Sequence, residues 1–186
     1  MLPHPAHGFL WRDWELDANF RARSGFPINV LDSDEFQGIS YENVFRPNLI
    51  GGVPLWIANP SAPGGRTINP AAFQPITALN PNGVAIQGNL GRNALTGFGM
   101  SQLDLALQRD FVFAEQRSFQ LRVEAYNALN HPNFADPIAV LASPLFGQSP
   151  SMLNLMLGTG SPASGLAPIF QSGGPRSLRV VFRFRF

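Results

Sequence analysis

The sequence predicts an all-β fold: an antiparallel sheet of about four strands, forming part of a transmembrane β-barrel, with two long extracellular loops. Three observations carry this expectation. From Arg176 to Phe186, residues Leu178, Val180, Phe182, Phe184 and Phe186 share one parity, and Arg179, Arg183 and Arg185 share the other. Successive side chains of a strand point to opposite faces, so this segment has one aromatic, greasy face and one cationic face. Three earlier segments alternate in the same way, and their connections are very unequal in length. A soluble sheet can alternate like this; a membrane barrel strand must, with lipid on one side and a watery lumen on the other.

The elements follow in chain order. Near residues 10–30, Trp14, Leu16, Ala18, Phe20 and Ala22 oppose Asp13, Glu15, Asp17, Asn19, Arg21 and Arg23, until a Gly25-Phe26-Pro27 break. Near 100–113, Leu103, Leu105, Leu107, Phe111 and Phe113 oppose Gln102, Asp104, Ala106, Gln108 and Asp110. Near 118–129, Phe119, Leu121, Val123 and Ala125 oppose Gln120, Arg122, Glu124 and Tyr126, and the terminal strand covers 175–186. Each segment is long enough to cross hydrocarbon as a tilted strand. The expected lipid-facing set is Leu103, Leu105, Leu107, Leu121, Val123, Leu178 and Val180; the expected lumen-facing set is Asp104, Gln108, Arg122, Glu124, Arg179 and Arg183. Phe111, Phe113, Phe119, Phe184 and Phe186 fall where an interfacial aromatic girdle belongs.

Only a few residues around Ala114 to Arg117 join the second and third strands. The stretches near 31–99 and 130–174 are rich in Pro, Gly, Asn and Ser, and read as long connections without regular structure. Such loops are rare in compact soluble domains but ordinary on the outer side of a barrel. Counting back from a periplasmic C-terminus places the short turn in the periplasm and both long loops outside. Parity also limits the register. Apolar residues are odd-numbered on both hairpin strands, so facing partners must sum to an even number, and Arg122 must meet Gln108 or Asp110. This predicts a turn of three or five residues unless the hairpin carries a bulge.

Composition narrows the function class. Charged residues make up 13% of the 186-residue chain, mean hydropathy is +0.01, and no apolar run is long enough for a membrane helix. The net charge of +1, with dispersed arginines and no lysine, speaks against a nucleic-acid partner. Without cysteine there are neither disulfides nor thiolate metal sites. The N-terminal residues lack the basic and apolar regions of a signal peptide.

Residues that could suggest chemistry have plainer readings. His4, His7 and His131 form no ligand cluster, so they read as polar loop residues rather than metal ligands. Asp32, Asp34 and Glu35 offer oxygen ligands but lack the spacing and turn glycine of a calcium loop. Gly88-Asn89-Leu90-Gly91-Arg92-Asn93 lacks the Gly-Lys-Ser/Thr of a phosphate cradle and reads as a turn. Asp13, Glu15 and Asp17 read as solvated lumen groups rather than catalytic carboxylates. The apolar run from Ser151 to Leu157 reads as a short helix or a folded patch inside the last loop. With no nucleophile elbow or triad pattern, neither an enzyme activity nor a cofactor is expected.

Several phrases resemble a known family: Arg21-Ala-Arg-Ser-Gly-Phe-Pro27, Pro60-Ser-Ala-Pro-Gly-Gly-Arg66, Asn69-Pro-Ala-Ala-Phe73, Gly88-Asn-Leu-Gly-Arg-Asn93, Arg122 to Phe134, and Gly173-Gly-Pro-Arg-Ser-Leu178. In this order they resemble the C-terminal end of the barrel in Oar-like TonB-dependent outer-membrane transporters or receptors. The resemblance implies an outer-membrane location, a larger barrel with an N-terminal plug, and energised uptake or binding of a ligand whose identity is unknown. It implies as partners the lipid bilayer, the inner-membrane TonB complex acting through an N-terminal part, and the barrel-assembly machinery. That machinery would read Phe186 with Phe182 and Phe184. The plug and signal peptide are missing from this sequence, so the whole chain, 1–186, is expected to be a barrel fragment, inactive alone. The rival expectation is a secreted or surface β-sandwich, a binding or adhesion module, with the same apolar faces packed together.

Overall fold

The computed structural model describes residues 12–32, 45–76, 81, 86–114, 117–158 and 172–186. Its strands in chain order are β1 (Trp14–Arg23), β2 (Pro27–Ile28), β3 (Asn48–Leu49), β4 (Trp56–Ala58), β5 (Arg66–Ile68), β6 (Phe73–Gln74), β7 (Leu95–Thr96), β8 (Met100–Ala114), β9 (Arg117–Tyr126) and β10 (Ser177–Arg185). A short helix, α1 (Leu153–Met156), lies between β9 and β10.

The four long strands form one antiparallel sheet in the order β1-β8-β9-β10, which is the expected meander. Its register joins the alternating segments face to face. Leu16 pairs with Leu107 and Phe20 with Leu103. Leu107 pairs in turn with Val123, and Val123 with Val180. The row Leu16, Leu107, Val123 and Val180 is thus apolar across all four strands. Among the described residues no second sheet covers it as a sandwich would require: Leu16, Phe20 and Phe182 each stand more than half exposed. Among the described residues β1 and β10 each pair on one side only, so the sheet is not closed into a barrel.

Two boundaries differ from expectation, each for a visible reason. The first strand stops at Arg23 because Gly25 lies against the Gly97 backbone so closely that any Cβ would collide. The third stops at Tyr126 rather than near 129, where Asn127 takes a left-handed backbone (φ 48°) and its N–H donates to the Asp104 carboxylate at 2.9 Å. The turn also differs. Phe111 faces Phe119 and Gln108 faces Arg122, so the even-sum register holds. The closing pair, however, is Ala114 with Arg117, so two residues separate the paired ends instead of three or five. A register shift between Val112 and Ala114 absorbs the extra residue as a bulge and restores the parity.

The larger correction concerns the long loops, whose described residues fold. β2 pairs with β7, β3 with β6, and β4 with β5. Ile28, Val30, Ile68, Ala72, Phe73, Leu90 and Leu95 form a buried cluster there. Ala139, Leu141 and Phe146 of the second loop pack against the same cluster. The two loops also share backbone hydrogen bonds: Leu31 N–H donates to the Ala139 carbonyl, and Leu141 N–H to that of Leu31. Together they form a cap with its own core. Proline and glycine shape the tight turns of this cap; they do not mark an absence of structure.

Candidate functional site: the polar face and its rim

The second face of the sheet carries the charged residues, and cross-strand pairing sets them side by side. Asp17 of β1 pairs with Ala106 of β8, and Ala106 pairs with Glu124 of β9. Because Ala106 is small, Arg122 reaches past β8 to Asp17, with Nη1 to Oδ2 at 3.1 Å. The same guanidinium donates to Glu124 at 2.8 Å and to Gln108 at 2.6 Å. Gln108 donates onward to Glu15 of β1. On the other side Glu124 faces Arg179 of β10 at 3.6 Å and accepts from the Tyr126 hydroxyl at 3.1 Å. An ionic chain therefore crosses all four strands. A groove of about 480 Å³ opens beside it, lined by Asp17, Asn19, Arg21, Asp104, Arg122 and Tyr126 among others.

Above this chain, at the loop end of the sheet, lies a tighter polar knot. Arg21 binds Asp104 at 2.5 Å and donates to the Ser172 hydroxyl at 2.8 Å. Asp104 also accepts from Gln102 at 2.7 Å, and Gln102 accepts from the Gly173 N–H at 2.7 Å. The buried Asn127 amide donates to the carbonyls of His131 and Gly174. The buried Asn133 accepts from the Ser101 N–H. These bonds give buried backbone groups partners where four strand ends meet two loops, the condition such groups require.

The expected sets divide between the faces. Asp104, Gln108, Arg122, Glu124 and Arg179 meet in the polar network, while Arg183 lies further down, paired with Gln120. Leu103, Leu105, Leu107, Leu121, Val123, Leu178 and Val180 share the apolar face through their pairings. Phe111, Phe119, Phe182 and Phe184 gather at the short-turn end: Phe119 lies 5.5 Å from Phe111, 6.0 Å from Phe182 and 4.9 Å from Phe184, ring centre to ring centre. Phe186 extends beyond the last cross-strand pair and is almost fully exposed.

Two features escaped the sequence reading. Arg109 has the parity of the apolar face, yet it is buried, with its guanidinium 4.5 Å from the Phe111 ring centre and 5.5 Å from that of Trp14. Rings on either side suit a cation held at an apolar surface. Its odd number was the available signal. Asn127 and Asn133 are buried polar linchpins that no periodicity marks, because they bind backbone groups at and beyond the strand ends; periodicity put Gln102 on the polar face but not its bond to the Gly173 N–H.

In the 88–93 turn, the N–H groups of Gly88 and Leu90 donate to the Arg46 and Pro47 carbonyls. Those of Asn89 and Asn93 donate to the side chains of Asn48 and Asn29, so these four N–H groups are taken up within the fold. Asp32 is buried and accepts from the Ile76 N–H at 2.7 Å, a structural role; Asp34 and Glu35 lie outside the described residues, as do His4 and His7. His131 is an exposed rim residue beside Asn133. Among the described residues no group of His, Asp or Glu could hold a metal ion. In the Ser151–Leu157 run, Leu153 is buried while Leu155 is exposed, so α1 is a half-covered loop element.

Comparison with known proteins agrees with this geometry. The family model described as an outer membrane beta barrel domain matches residues 2–154. No curated protein and no solved structure matches. β10 lies beyond the matched residues and takes its place through its register on β9. An apolar face left open, a charged face opposite, strands of spanning length and a match over most of the chain converge: this chain belongs to the outer membrane β-barrel domain family and resides in the outer membrane.

Proposed function

We propose that this chain is the C-terminal segment of an Oar-like TonB-dependent outer-membrane receptor or transporter. The apolar face meets lipid, the ionic chain lines the lumen, and the cap stands outside as part of the ligand-binding surface. The observation that supports this most is the co-folded cap. Two loops of this length with a shared core make a rigid outer surface on a short-turned barrel, the kind of scaffold on which recognition sits.

The phrases that resemble the family also fall at structural joints. Gly64 (φ 78°) sits under the Phe98 ring, and Arg66 lies 4.2 Å from the Trp56 ring centre. Asn69 caps the turn at Pro70–Ala72, and Asn127 and Gly174 close the rim. In this reading the segment performs no chemistry and needs no cofactor. The open edges of β1 and β10 join further strands of the parent. The barrel-assembly machinery reads the terminal aromatics, and the TonB complex acts through the N-terminal part.

The test uses the full-length parent. A TonB-dependent receptor crosslinks to the periplasmic domain of TonB and shows no steady conductance in a planar bilayer, because a plug fills it. A steadily conducting pore that never crosslinks to TonB would instead be a passive porin-like barrel.

A further inference from the structure

A second recess lies away from the lumen, on the apolar side at the loop end of the sheet. It holds about 250 Å³ and is lined by Phe20, Ser101, Gln102, Leu103, Leu129, Asn130, His131 and Pro132. Phe20 and Leu103 are cross-strand partners on the apolar face, and Leu129 stands 71% exposed above them. A leucine so exposed at the outer rim is poorly placed beside water and well placed beside acyl chains.

The polar lip is on the same side. Arg176 has the parity of Leu178 and Val180, so it continues the apolar row of β10 one step past its loop-end limit. Its backbone N–H donates to the Asn130 side chain at 3.3 Å, which places this end of β10 against the 129–131 corner. Asn130 holds a left-handed backbone (φ 51°), and His131 N–H is fixed by the Asn127 side chain. The corner is thus tied by hydrogen bonds: an apolar notch below, His131 in its lining, and Arg176 held to Asn130 through its backbone N–H. Carboxylates are absent from the lining of the notch; the nearby Asp104 is engaged by Arg21 and Gln102.

We infer that this corner binds a phosphorylated, multiply acylated lipid of the outer leaflet. Part of one acyl chain occupies the Phe20–Leu103–Leu129 notch, and a headgroup phosphate meets Arg176 and His131. An arginine at headgroup level attracts lipid phosphate, an imidazole N–H can donate to it, and apolar notches just beneath select chains. The inference rests on the reading that the apolar face meets lipid, but not on TonB dependence.

The experiment measures lipid retained by the full-length parent, purified in detergent and incubated with bis-phosphorylated lipid A, its dephosphorylated form or phosphatidylethanolamine, by native mass spectrometry. The wild type should retain bis-phosphorylated lipid A above both others. Arg176→Ala should lower that retention about fivefold, and His131→Ala by a similar or smaller factor. Leu129→Ser, a change at an exposed side chain, should lower retention of every lipid tested. Val123→Ser, at mid-sheet, should leave retention at the wild-type level while keeping membrane assembly. Equal retention of the phosphorylated and dephosphorylated forms, or wild-type retention in Arg176→Ala and Leu129→Ser, overturns the inference. Failure to assemble in the outer membrane at all would instead count against the barrel reading on which it rests.

Discussion

In the sheet, Leu178 and Phe184 stand 70% and 65% exposed, whereas in the cap Val30 and Ile68 are wholly buried. The two regions draw on the same apolar residue types and dispose of them in opposite ways. The sheet turns its apolar rows outward on all four strands and gathers its ion pairs on the other face. The cap gathers its apolar residues around Ile68 and Leu90 and spends its polar groups on turns. The difference follows from the solvent each meets. Hydrocarbon takes over the role of a core for the sheet, which therefore needs only matched register and satisfied backbone groups. The cap meets water and must build a core from a chain crowded with proline and glycine.

The comparison breaks most visibly where truncation and charge are exchanged between regions. Ile68→Ala removes a fully buried side chain from the cap, and should destabilise it by about 2–5 kcal/mol. The readout is faster proteolysis of the outer loops in intact cells, with membrane assembly kept. Leu105→Arg or Val123→Arg should show the reverse. A charge at mid-membrane on the apolar face is worth about 2–4 kcal/mol against the sheet, enough to prevent assembly of the full-length parent. If Leu105→Arg assembled normally and gave a heat-modifiable band, the apolar face could not be facing lipid.

Glycines sharpen the contrast within the cap. Gly147 (φ 79°) and Gly52 (φ 78°) both adopt left-handed backbone, but only Gly147 is crowded: an added Cβ would lie 2.6 Å from the Ile68 carbonyl oxygen. Around Gly52 there is open space. Gly52→Ala should therefore lose only the conformational part, about 1–2 kcal/mol. Gly147→Ala should lose that and the packing between the two loops as well. Equal losses in loop proteolysis would mean that the second loop does not lock onto the first. On the polar face, Asp17→Asn should be milder, at most about 1 kcal/mol, because Asp17 is half exposed and Arg122 keeps Glu124 and Gln108.

How far the sequence could be read follows the same divide. On the sheet, each side chain's face is fixed by parity, a local property, so the two faces were legible from Leu103, Arg122, Val180 and their neighbours, and the hairpin register was narrowed to Gln108 or Asp110 opposite Arg122. Even the error in the turn was local: a bulge near Phe113 adds one residue at the tip and leaves every pair from Leu105 to Val112 in the expected register. The cap was not legible, because its contacts are remote in sequence. Leu31 meets Ala139, Ile68 meets Gly147, and Gln102 meets Gly173. No periodicity announces a core assembled from two-residue strands and turns. Arg109 was missed for another reason: one cation in an apolar row reads as noise until Trp14 and Phe111 are seen beside it.

The smallest effect expected lies where the two regions join. Asp136 is half-buried in the cap beside Gly97, close enough that a Cβ on that glycine would strike its carboxylate, and its N–H donates to the Met156 sulfur at 3.3 Å. Burial raises its carboxyl pKa above the ordinary value, with the charge of Arg23 opposing. A carboxyl with a higher pKa folded than unfolded binds its proton more tightly in the folded cap. Its contribution to stability is therefore full below the unfolded pKa and is lost as pH rises through the folded one. Loop proteolysis in the wild type should accelerate as the pH rises above the ordinary aspartate range of about 4, once corrected for the protease's own pH dependence. Asp136→Asn should flatten that rise and leave the cap at least as resistant at neutral pH. The sheet, anchored by lipid on its other face, should show no such slope in its assembled fraction. A rise just as steep in Asp136→Asn would place the titrating group elsewhere in the cap.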